Sequence, residues 1–429
     1  MLFFRLGKLD NLLLSFFVQC YLYDMLKRKM INDPVYGFVT IRHGFVLELI
    51  NHRYFQRLRR ITQLGLSHLV YPGAGHNRFQ HAMGAMHLMQ NAIDELRLKG
   101  HSISNEEEVG LLCAILLHDI GHGPFSHALE SSIVNEVHHE HISSFAMERL
   151  NKEFGGKLDL TLEIFNGTYP RKFMHQLVSS QLDMDRLDYL ARDSFFSGVV
   201  EGQVGSERLI KMLDVVNDQL VVEEKGIYSI EKFIVARRFM YWQVYLHKTV
   251  LSAEYMLVNA LRRAKQLADQ GEQLWASPAL QYFLNNKISL SHFEAGDEAF
   301  EMFMKLDDID ILGALKVWTS HSDFVLSQLA TRIVERRLFK IEISRTEIPE
   351  SSIQAAIAGI QNQYNITSDE ARYFVLNGKV DNRAYNSMNE GILVKMKNGE
   401  IIDAAKASDH DNLSALSAPV EKYFLARGV

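Results

Sequence analysis

The sequence predicts a mainly α-helical protein with a few small β hairpins and a C-terminal α+β subdomain. Two observations predict the helices: only 7 prolines occur in 429 residues, and runs of Leu, Met, Glu and Lys are frequent. A third observation, short strand-like segments near the C-terminus, predicts the β part. With 47% hydrophobic and 23% charged residues, the chain is close to the globular average, so we expect a sizeable core.

The first segment, residues 1–29, differs from the rest. It contains the apolar run Leu12–Tyr23, which is shorter than the ~20 apolar residues that a membrane span needs. The run is not followed by the small-x-small cleavage pattern of a secretory signal peptide. We therefore expect either an amphipathic extension or a true translation start further along, at Met25 or Met30.

The middle segment, residues 30–299, is predicted to form the helical core. Ser104, followed three residues later by Glu107, matches a capping box and predicts the start of a helix. In chain order we predict a short strand or hairpin after Pro34, helical spacing over Phe45–Leu64, helices over Phe79–Leu98, from Ser104 to Asp119, over Glu140–Phe154 and from Ser179 onward, a hairpin over Gln219–Ile230 with Gly226 in its turn, and a long helix over Glu231–Ala268.

The last segment, residues 300–429, is predicted to form the small α+β subdomain. Its strand-like stretches are RLFKIEI, ARYFVL and GILVKMKNGEIIDAA. The last stretch predicts a hairpin in which Asn398 and Gly399 form a type I′ turn. Because the sequence contains no internal repeat and no low-complexity linker, we expect the segments to pack as one unit.

Charge and cysteine content narrow the class of protein. The formal net charge of −6 argues against a general nucleic-acid binder, although a local basic cleft stays compatible with it. The two cysteines, Cys20 and Cys113, lie far apart in apolar settings, which excludes a thiolate metal cluster and is typical of a reducing cytoplasm.

The stretch LLCAILLHDIGHGPFSH, Leu111–His127, carries the chemistry around which the chain is organised. Its apolar run ends in His118 and Asp119, and burying such groups costs several kcal/mol unless they have partners. Gly121 and Pro124 then end the helix and allow a close approach of another group. We interpret the stretch as part of a metal site with catalytic histidines beside it.

Four residues could meet at one ion: His81, His118, Asp119 and Asp185. Imidazole and carboxylate ligands without thiolate suit a divalent ion of Fe, Mn, Mg, Zn, Ni or Co, which the ligand set does not distinguish. Adjacent helical residues point about 100° apart, so His118 and Asp119 can share an ion only at a helix end, which Gly121 provides. A lone His81 is more often a core or surface histidine; the complete set favours the metal interpretation.

Two helical faces carry further candidate ligands. Asp185, Arg186, Tyr189 and Asp193 lie along one face and suit a metal, phosphate oxygens and a sugar hydroxyl. A solvated face with ion pairs is the alternative interpretation. The second face comprises Arg237, Tyr241, Tyr245 and Lys248, although aromatic stripes are more often core.

Other side chains could contribute phosphate binding and proton transfer. Arg78 could clamp phosphate oxygens with two hydrogen bonds. His122, His127 and the run His138–His141 supply imidazoles that titrate near neutral pH, and either Glu130 or Glu140 could orient one of them.

The motifs HNRFQH, HDIGHGPFSH and DMDRLDYLARD, in this order, resemble the HD-domain phosphohydrolase superfamily. More narrowly, the chain is similar to the deoxynucleoside triphosphate triphosphohydrolases related to the vertebrate sterile-alpha-motif/HD-domain enzyme. The similarity runs from about Lys29 to Lys248 and includes INDPVYG, YFQRLRRITQLG and HHEHISSFAMERL. It implies a helical HD-domain core and cleavage of a dNTP into deoxynucleoside and tripolyphosphate.

The resemblance also implies roles for individual residues. The metal ligands it implies are again His81, His118, Asp119 and Asp185. The catalytic residues it implies are His127 as proton donor to the 5′-oxygen, His122 at the phosphates, and His139 with its acidic partner Glu130. The substrate residues it implies are Arg78, Arg186, Tyr189 and Arg237 at the triphosphate, Gln63 and Leu64 at the sugar and base, Asp193 at the 3′-hydroxyl, and Tyr245 where a ribose 2′-hydroxyl is excluded.

The sequence departs from the vertebrate pattern in three places. Arg186 replaces a lysine, which keeps the charge and changes its geometry, and Tyr241 replaces a histidine near the base. Asn51 replaces an aspartate that reads guanine in the family's GTP effector site, and an amide has only one acceptor oxygen. The remaining residues of that candidate effector site match the pattern: Lys29, Asn32, Gln56 and Arg59.

From these observations we expect a metal-dependent, cytoplasmic dNTP triphosphohydrolase that forms a homo-oligomer, either a dimer or a tetramer, and that carries a candidate site for a nucleotide effector. Two alternatives stay open. The first is an HD-type nucleotidase or phosphodiesterase that acts on nucleoside monophosphates or cyclic nucleotides. The second is a non-enzymatic nucleotide sensor or nucleic-acid-binding module that uses the basic residues of Arg53–Arg60.

Overall fold

The computed structural model describes residues 29–125, 132, 138–295, 297–382, 385, 391–409 and 419–428. The predicted N-terminal extension therefore lies, apart from Lys29, outside the described residues. Two predicted catalytic residues, His127 and Glu130, also lie outside them. In the described part of the chain, no helix is both long enough and apolar enough to cross a membrane.

The structure is mainly helical with small sheets, as the sequence predicts. The helices are α1 (Gly44–Asn51), α2 (Arg53–Arg57), α3 (Arg78–Leu98), α4 (Asn105–Leu117), α5 (His139–Glu153), α6 (Asp159–Phe165), α7 (Lys172–Val178), α8 (Met184–Ser197), α9 (Ser206–Lys211), α10 (Ile227–Met240), α11 (Lys248–Asp269), α12 (Pro278–Asn285), α13 (Leu290–Ala295), α14 (Asp297–Phe303), α15 (Asp308–Trp318), α16 (Phe324–Val334), α17 (Glu350–Tyr364), α18 (Ser368–Arg372) and α19 (Ala404–Ala407). The strands are β1 (Lys29–Asp33), β2 (Gly37–Ile41), β3 (Leu213–Val216), β4 (Gln219–Glu223), β5 (Lys340–Ser344), β6 (Val375–Asn382), β7 (Leu393–Lys395), β8 (Ile401–Asp403) and β9 (Val420–Arg427).

Helices α3, α4 and α8 form the centre of the core. The apolar run Leu111–Leu117 of α4 is buried completely, with 0% exposure at every position. Helix α4 packs along α3, and α3 packs along α8. The predicted capping box is present, because Ser104 and Glu107 each accept a hydrogen bond from the other's backbone amide. This packing brings the C-terminal end of α4 beside the first turns of α3 and α8.

The strands form three small sheets. β1 and β2 make an antiparallel hairpin, and β5, β9 and β6 make an antiparallel sheet. In the third sheet, β7 pairs in parallel with β4, so the β3–β4 hairpin of the middle segment and the β7–β8 hairpin of the last segment form one sheet. The segments thus pack as one unit, while the boundary near residue 299 stays a prediction.

The hairpin predicted over Gln219–Ile230 is wrong, because Gln219 begins the second strand of the hairpin and not the first. The hairpin joins β3 and β4 through Asn217 and Asp218, whose φ angles of 51° and 61° give the turn its left-handed backbone. Gly226 lies instead in a short 3₁₀ turn that leads into α10.

Three further element predictions require correction. The long helix predicted over Glu231–Ala268 is interrupted by a π-helical turn at Tyr241–Tyr245. Helix α8 begins at Met184 rather than Ser179, because Asp183 caps its first turn. The β7–β8 hairpin exists, but only Gly399 of its predicted type I′ pair has a positive φ, 88°, so the turn is of another type.

Candidate active site

Three helix ends position the predicted metal ligands. His81 lies in the first turn of α3, which begins at a capping box formed by Asn77 and Gln80. His118 is the C-cap of α4, so Asp119 follows outside the helix, as the interpretation of a shared helix end requires. Asp185 lies in the first turn of α8.

The four predicted ligands meet at one point. The ligand atoms of His81, His118 and Asp119 all lie within 4.8 Å of one another. Oδ1 of Asp185 lies 3.1 Å from Nε2 of His81 and 3.4 Å from Nε2 of His118. Within the described residues, neither of these buried Nε2 atoms makes a hydrogen bond of good geometry. Two imidazoles and two carboxylates converging on one point fit a divalent cation.

The outward nitrogens of the two histidines are held by other groups. Nδ1 of His81 lies 2.7 Å from Oδ2 of Asp188, and Nδ1 of His118 lies 2.6 Å from the carbonyl oxygen of Ile115. Both contacts leave Nε2 facing the cluster, because a proton on Nδ1 leaves the free electron pair on Nε2. Burial alone lowers the pKa of His81, but the neighbouring carboxylates of Asp185 and Asp188 outweigh it and raise the pKa to about 10. A bound cation must therefore displace a proton from His81.

A buried ion pair supports Asp188. Arg192 donates from Nε and Nη2 to the two carboxylate oxygens of Asp188, each at 3.0 Å, and both side chains are fully buried. Burial by itself raises the pKa of Asp188, but the charge of Arg192 and the hydrogen bond to His81 lower it below its usual range. Gly84 of α3 makes room for the pair, since a Cβ atom there would lie 2.0 Å from Asp188 Oδ1.

The turn after α4 brings two further histidines to the cluster. The backbone amide of Gly121 donates to Oγ of Ser143 at 3.0 Å, and that hydroxyl donates to the carbonyl of His118 at 2.8 Å. A Cβ atom at Gly121 would lie 2.3 Å from the carbonyl oxygen of His139, so glycine permits this close approach of α5. As a result the ring of His139 stacks on that of His122, with centroids 3.8 Å apart and planes 17° apart.

His122 also contacts the metal cluster. Its Nε2 atom lies 3.2 Å from Oδ1 of Asp119. Burial and the neighbouring charge of Arg78 lower the pKa of His122 to about 3, against the opposing effect of Asp119. His122 is therefore neutral at pH 7 in this arrangement, and it offers a hydrogen bond rather than a charge.

Two of the three predicted phosphate-binding arginines, Arg78 and Arg186, contact acidic residues at or next to the cluster. Nη1 of Arg78 lies 2.5 Å from Oδ2 of Asp119. Nε of Arg186 donates to the carbonyl of Ser180 at 2.5 Å and lies 3.2 Å from Oδ2 of Asp183. Burial raises the pKa of Asp183 to about 6, although Arg186 opposes the shift.

A cavity of 490 Å³ opens from the cluster toward α5 and α7. Metal-cluster residues and Arg186 line one end of this cavity. The rest of its lining includes His139, Glu140, His141, Ser144 and His175. Imidazoles, hydroxyls and a guanidinium beside a candidate metal suit a phosphorylated ligand.

A second group of predicted residues surrounds Asp193. The hydroxyl of Tyr245 donates to Oδ2 of Asp193 at 2.7 Å, and Nε2 of His76 lies 2.7 Å from the other carboxylate oxygen. Tyr241 packs edge-on against Tyr245 with ring centroids 5.1 Å apart. Burial, together with the charge of Asp193, raises the pKa of Tyr245 well above its usual value.

The remaining substrate residues join this group through short contacts. Tyr189 packs edge-on against Tyr245 with centroids 6.2 Å apart, and the guanidinium of Arg237 lies 5.8 Å from the ring centroid of Tyr241. The backbone amide of Gln63 donates to the carbonyl of His76 at 3.0 Å, which places Gln63 beside the Asp193 group. Leu64 follows it and packs against the core.

The candidate effector residues lie on β1, at the end of α1, in α2 and in the 3₁₀ turn that follows α2. Nε2 of Gln56 donates to the carbonyl of Ile50, next to Asn51, at 2.7 Å, and Nε of Arg59 donates to Oε1 of Gln56 at 2.9 Å. These contacts bring three of the five candidate residues together. The other two are exposed on β1: Lys29 and Asn32.

Sequence reasoning missed four residues that support the site: Asp183, Asp188, Arg192 and His76. All but His76 lie in the motif DMDRLDYLARD, where the spacing of Asp188 and Arg192 by four residues predicts an ion pair on α8. Nothing local indicates that the pair would face His81. His76 lies in HNRFQH, but its partner Asp193 is 117 residues away.

Comparison with known proteins finds two adjacent family matches. The family model described as HD domain matches residues 78–193, and the one described as HD associated region matches residues 204–274. The first match contains all four predicted metal ligands.

A solved structure and two relatives extend the similarity. The crystal structure of a phosphohydrolase from Bacteroides thetaiotaomicron has a TM-score of 0.91 and 52% sequence identity, and the match covers 94% of this chain and 100% of that one. Protein YwfO of Bacillus subtilis is 36% identical over 358 residues, which are 80% of each chain. A deoxynucleoside triphosphate triphosphohydrolase SAMHD1 homolog of Dictyostelium discoideum is 30% identical over 265 residues, so this match spans about half of that protein, 51%.

Proposed function

This chain belongs to the HD-domain phosphohydrolase superfamily of metal-dependent hydrolases, and we propose that it cleaves deoxynucleoside triphosphates into deoxynucleoside and tripolyphosphate. The observation that carries the proposal is the convergence of three features. The features are a His/Asp cluster, the arginines Arg78 and Arg186 beside it, and a Tyr245–Asp193 pair suited to a deoxyribose, and helix α8 connects them because it carries both Asp185 and Asp193.

The metal site is the first part of the proposal. His81, His118, Asp119 and Asp185 would hold a divalent ion, which supplies Lewis acidity for hydrolysis of a phosphate ester. The two buried Nε2 atoms that lack good hydrogen-bond partners among the described residues support this assignment. The identity of the ion, among Fe, Mn, Mg, Zn, Ni and Co, is left to measurement.

The triphosphate is assigned to Arg78, Arg186, Tyr189 and Arg237. Arg78 is buried and paired with Asp119, and Arg186 lines the cavity beside the cluster. Guanidinium groups beside the cluster can offset the charge of several phosphates. This supports a triphosphate over a monophosphate, which needs fewer cations.

Proton transfer is assigned to the histidines after the cluster. His122, neutral and 3.2 Å from Asp119, would donate a hydrogen bond to a phosphate oxygen. His139 stacks on it and lines the cavity. The proton donor to the 5′-oxygen, His127, and the partner of His139, Glu130, come from the family resemblance and lie outside the described residues.

The sugar is assigned to Asp193 and Tyr245. Asp193 would accept the 3′-hydroxyl, while the ring of Tyr245 would occupy the space that a ribose 2′-hydroxyl needs. Because Tyr245 is tied to Asp193, and Asp193 also contacts His76, the ring has little freedom to move aside. Gln63 and Leu64 are assigned to the sugar and base face.

The name of one relative supports a dNTP as the substrate. The Dictyostelium relative is named as a dNTP triphosphohydrolase, and its match covers 57% of this chain. We further propose a cytoplasmic homo-oligomer, a dimer or a tetramer, with a nucleotide effector site at Lys29, Asn32, Asn51, Gln56 and Arg59.

Purified protein of measured metal content, incubated with each dNTP and with Mn, Mg, Fe, Co or Ni, tests the proposal. Ion chromatography should detect tripolyphosphate in proportion to released deoxynucleoside, and D119A should release neither. Repeating the assay with each other nucleotide present tests the effector site. Turnover of monophosphates or cyclic nucleotides without triphosphate turnover would replace the proposal with the nucleotidase or phosphodiesterase alternative.

A further inference from the structure

We propose that the β1–β2 hairpin sets the metal affinity of the site through Asp33, a positioning residue that acts on His81 by way of Arg192 and Asp188. The inference rests on the proposed function in one respect, because it takes the cluster around His81 as the metal centre.

The chain of contacts begins at the metal ligand. His81 can present Nε2 to a cation only when Nδ1 carries the proton, and Asp188 accepts that proton's hydrogen bond at 2.7 Å. A carboxylate in this position makes the imidazole a better ligand, because it stabilises positive charge on the ring. The metal affinity therefore depends on how much negative charge Asp188 directs toward His81.

Arg192 divides its charge between two carboxylates. It contacts both oxygens of Asp188 at 3.0 Å, and its Nη1 atom contacts Oδ2 of Asp33 at 2.8 Å. The side chains of Arg192 and Asp188 are 0% exposed and that of Asp33 is 5% exposed, so water screens these charges little. Without Asp33, the whole guanidinium charge acts on Asp188, which then polarises His81 less.

The same carboxylate fixes the hairpin. Oδ1 of Asp33 accepts hydrogen bonds from the backbone amides of Val35 and Tyr36 at 2.9 and 3.0 Å. One oxygen of Asp33 thus closes the turn between β1 and β2, and the other reaches Arg192. A movement of this turn changes the ion-pair chain, and by thermodynamic reciprocity metal binding changes the stability of the turn.

The test compares Co²⁺ binding by the metal-free full chain and its variants, measured by visible absorption without nucleotide. D33N and D33S both remove the charge, and each keeps an oxygen that can accept the turn amides. Both should bind Co²⁺ about three- to tenfold more weakly, which is less than the ten- to hundredfold loss for a residue that contacts a ligand directly.

D94N is the control for a loosened hairpin, because it removes a charge from a partly exposed ion pair that joins the end of the hairpin to α3 away from the cluster. Arg42, which follows β2, contacts the two oxygens of Asp94 at 2.8 and 2.6 Å. D94N should bind Co²⁺ within about twofold of the wild-type chain if the loss in D33N is electrostatic rather than a loosening of the hairpin.

Hydrogen exchange on the wild-type chain provides a measurement that needs no variant. Co²⁺ should slow exchange at the amides of Val35 and Tyr36. Three results would each overturn this inference but not the proposed metal centre. They are unchanged exchange at these amides, a Co²⁺ affinity of D33N equal to that of the wild-type chain, and a loss of Co²⁺ affinity in D94N equal to that in D33N. A wild-type chain that binds no Co²⁺ would overturn the proposed metal centre, and this inference with it.

Discussion

The hydroxyl of Tyr245 donates a 2.7 Å hydrogen bond to Oδ2 of Asp193, whose other oxygen lies 2.7 Å from Nε2 of His76. These contacts join the interrupted helix α10–α11, helix α8 and the loop before α3. They restrict the movement of the Tyr245 ring. The π-helical turn at Tyr241–Tyr245 directs the ring to this position, which a continuous α-helix would not do in the same way.

Substitution of Tyr245 should relax the choice between deoxyribose and ribose. Y245A removes the ring and should raise the ratio of rNTP to dNTP hydrolysis, measured as kcat/KM, by about tenfold or more. Y245F keeps the bulk and loses only the hydrogen bond to Asp193, so it should keep the wild-type preference within about threefold. An equal relaxation in both variants would assign discrimination to the hydroxyl instead of the ring.

Because His139 stacks on His122, replacing His139 should lower the rate of catalysis and leave the metal affinity unchanged. H139A should lower kcat by about 100-fold, because general acid–base residues contribute about that much or more, while Co²⁺ binding stays within about twofold. H138A changes the exposed neighbour and should keep kcat within about twofold. A fall of Co²⁺ affinity in H139A as large as its loss of kcat would instead make His139 a metal ligand.

The position of His118 and Asp119 at a helix end was predictable because these two residues lie beside strong local signals. A capping box opens α4, an apolar run fills it, and Gly121 follows the helix end, so the local sequence is enough to place His118 and Asp119 at that end. Asp33 was not predictable in this way. Its partner Arg192 is 159 residues away, and no local pattern indicates which acidic residue a buried arginine will meet.

The misplaced hairpin has a physical cause of the same kind. Gly226 is the usual turn residue, yet Asn217 and Asp218 adopt the left-handed backbone that a two-residue turn needs, as these two residue types can. The first strand, β3, has only four residues, and its partner β4 pairs on its other side with β7 from the last segment. The stability of the hairpin thus depends on a strand about 170 residues later in the chain, and no local sequence pattern indicates that pairing.

The ionisation of Glu108 should make the free energy of unfolding depend on pH. It contacts Nε2 of His43 at 2.9 Å and pairs with Arg97. Burial by itself raises its pKa, but these two partners lower it to about 2. Because the folded pKa lies below the unfolded value of about 4.3, the stabilisation is complete above that pH and is lost as the pH falls toward 2.

The variant E108Q measures this contribution. At pH 6 it should be less stable than the wild-type chain by about 3 kcal/mol or less, and the difference should shrink steadily between about pH 4.5 and about pH 2.5. Urea unfolding at each pH, followed by circular dichroism, gives both values. A difference that stays constant over this range would show that the two partners do not lower the pKa.

Gly84 of α3 should not tolerate replacement by alanine. A Cβ atom there would lie 2.0 Å from Oδ1 of Asp188 and 2.1 Å from Nη2 of Arg192, inside a buried ion pair that has no space to relax. Breaking such a pair costs about 3 to 5 kcal/mol, so G84A should lower the free energy of unfolding by about 3 kcal/mol and weaken Co²⁺ binding through His81. G359A is the control, since Gly359 lies within helix α17 and an added Cβ there meets no atom of the described residues within 4 Å. Replacing it should stabilise the chain by up to about 1 kcal/mol, as expected for Gly to Ala in a helix. The free energy of unfolding of both variants is measured with urea. If G84A is as stable as G359A, the Asp188–Arg192 pair does not pack against Gly84 of α3.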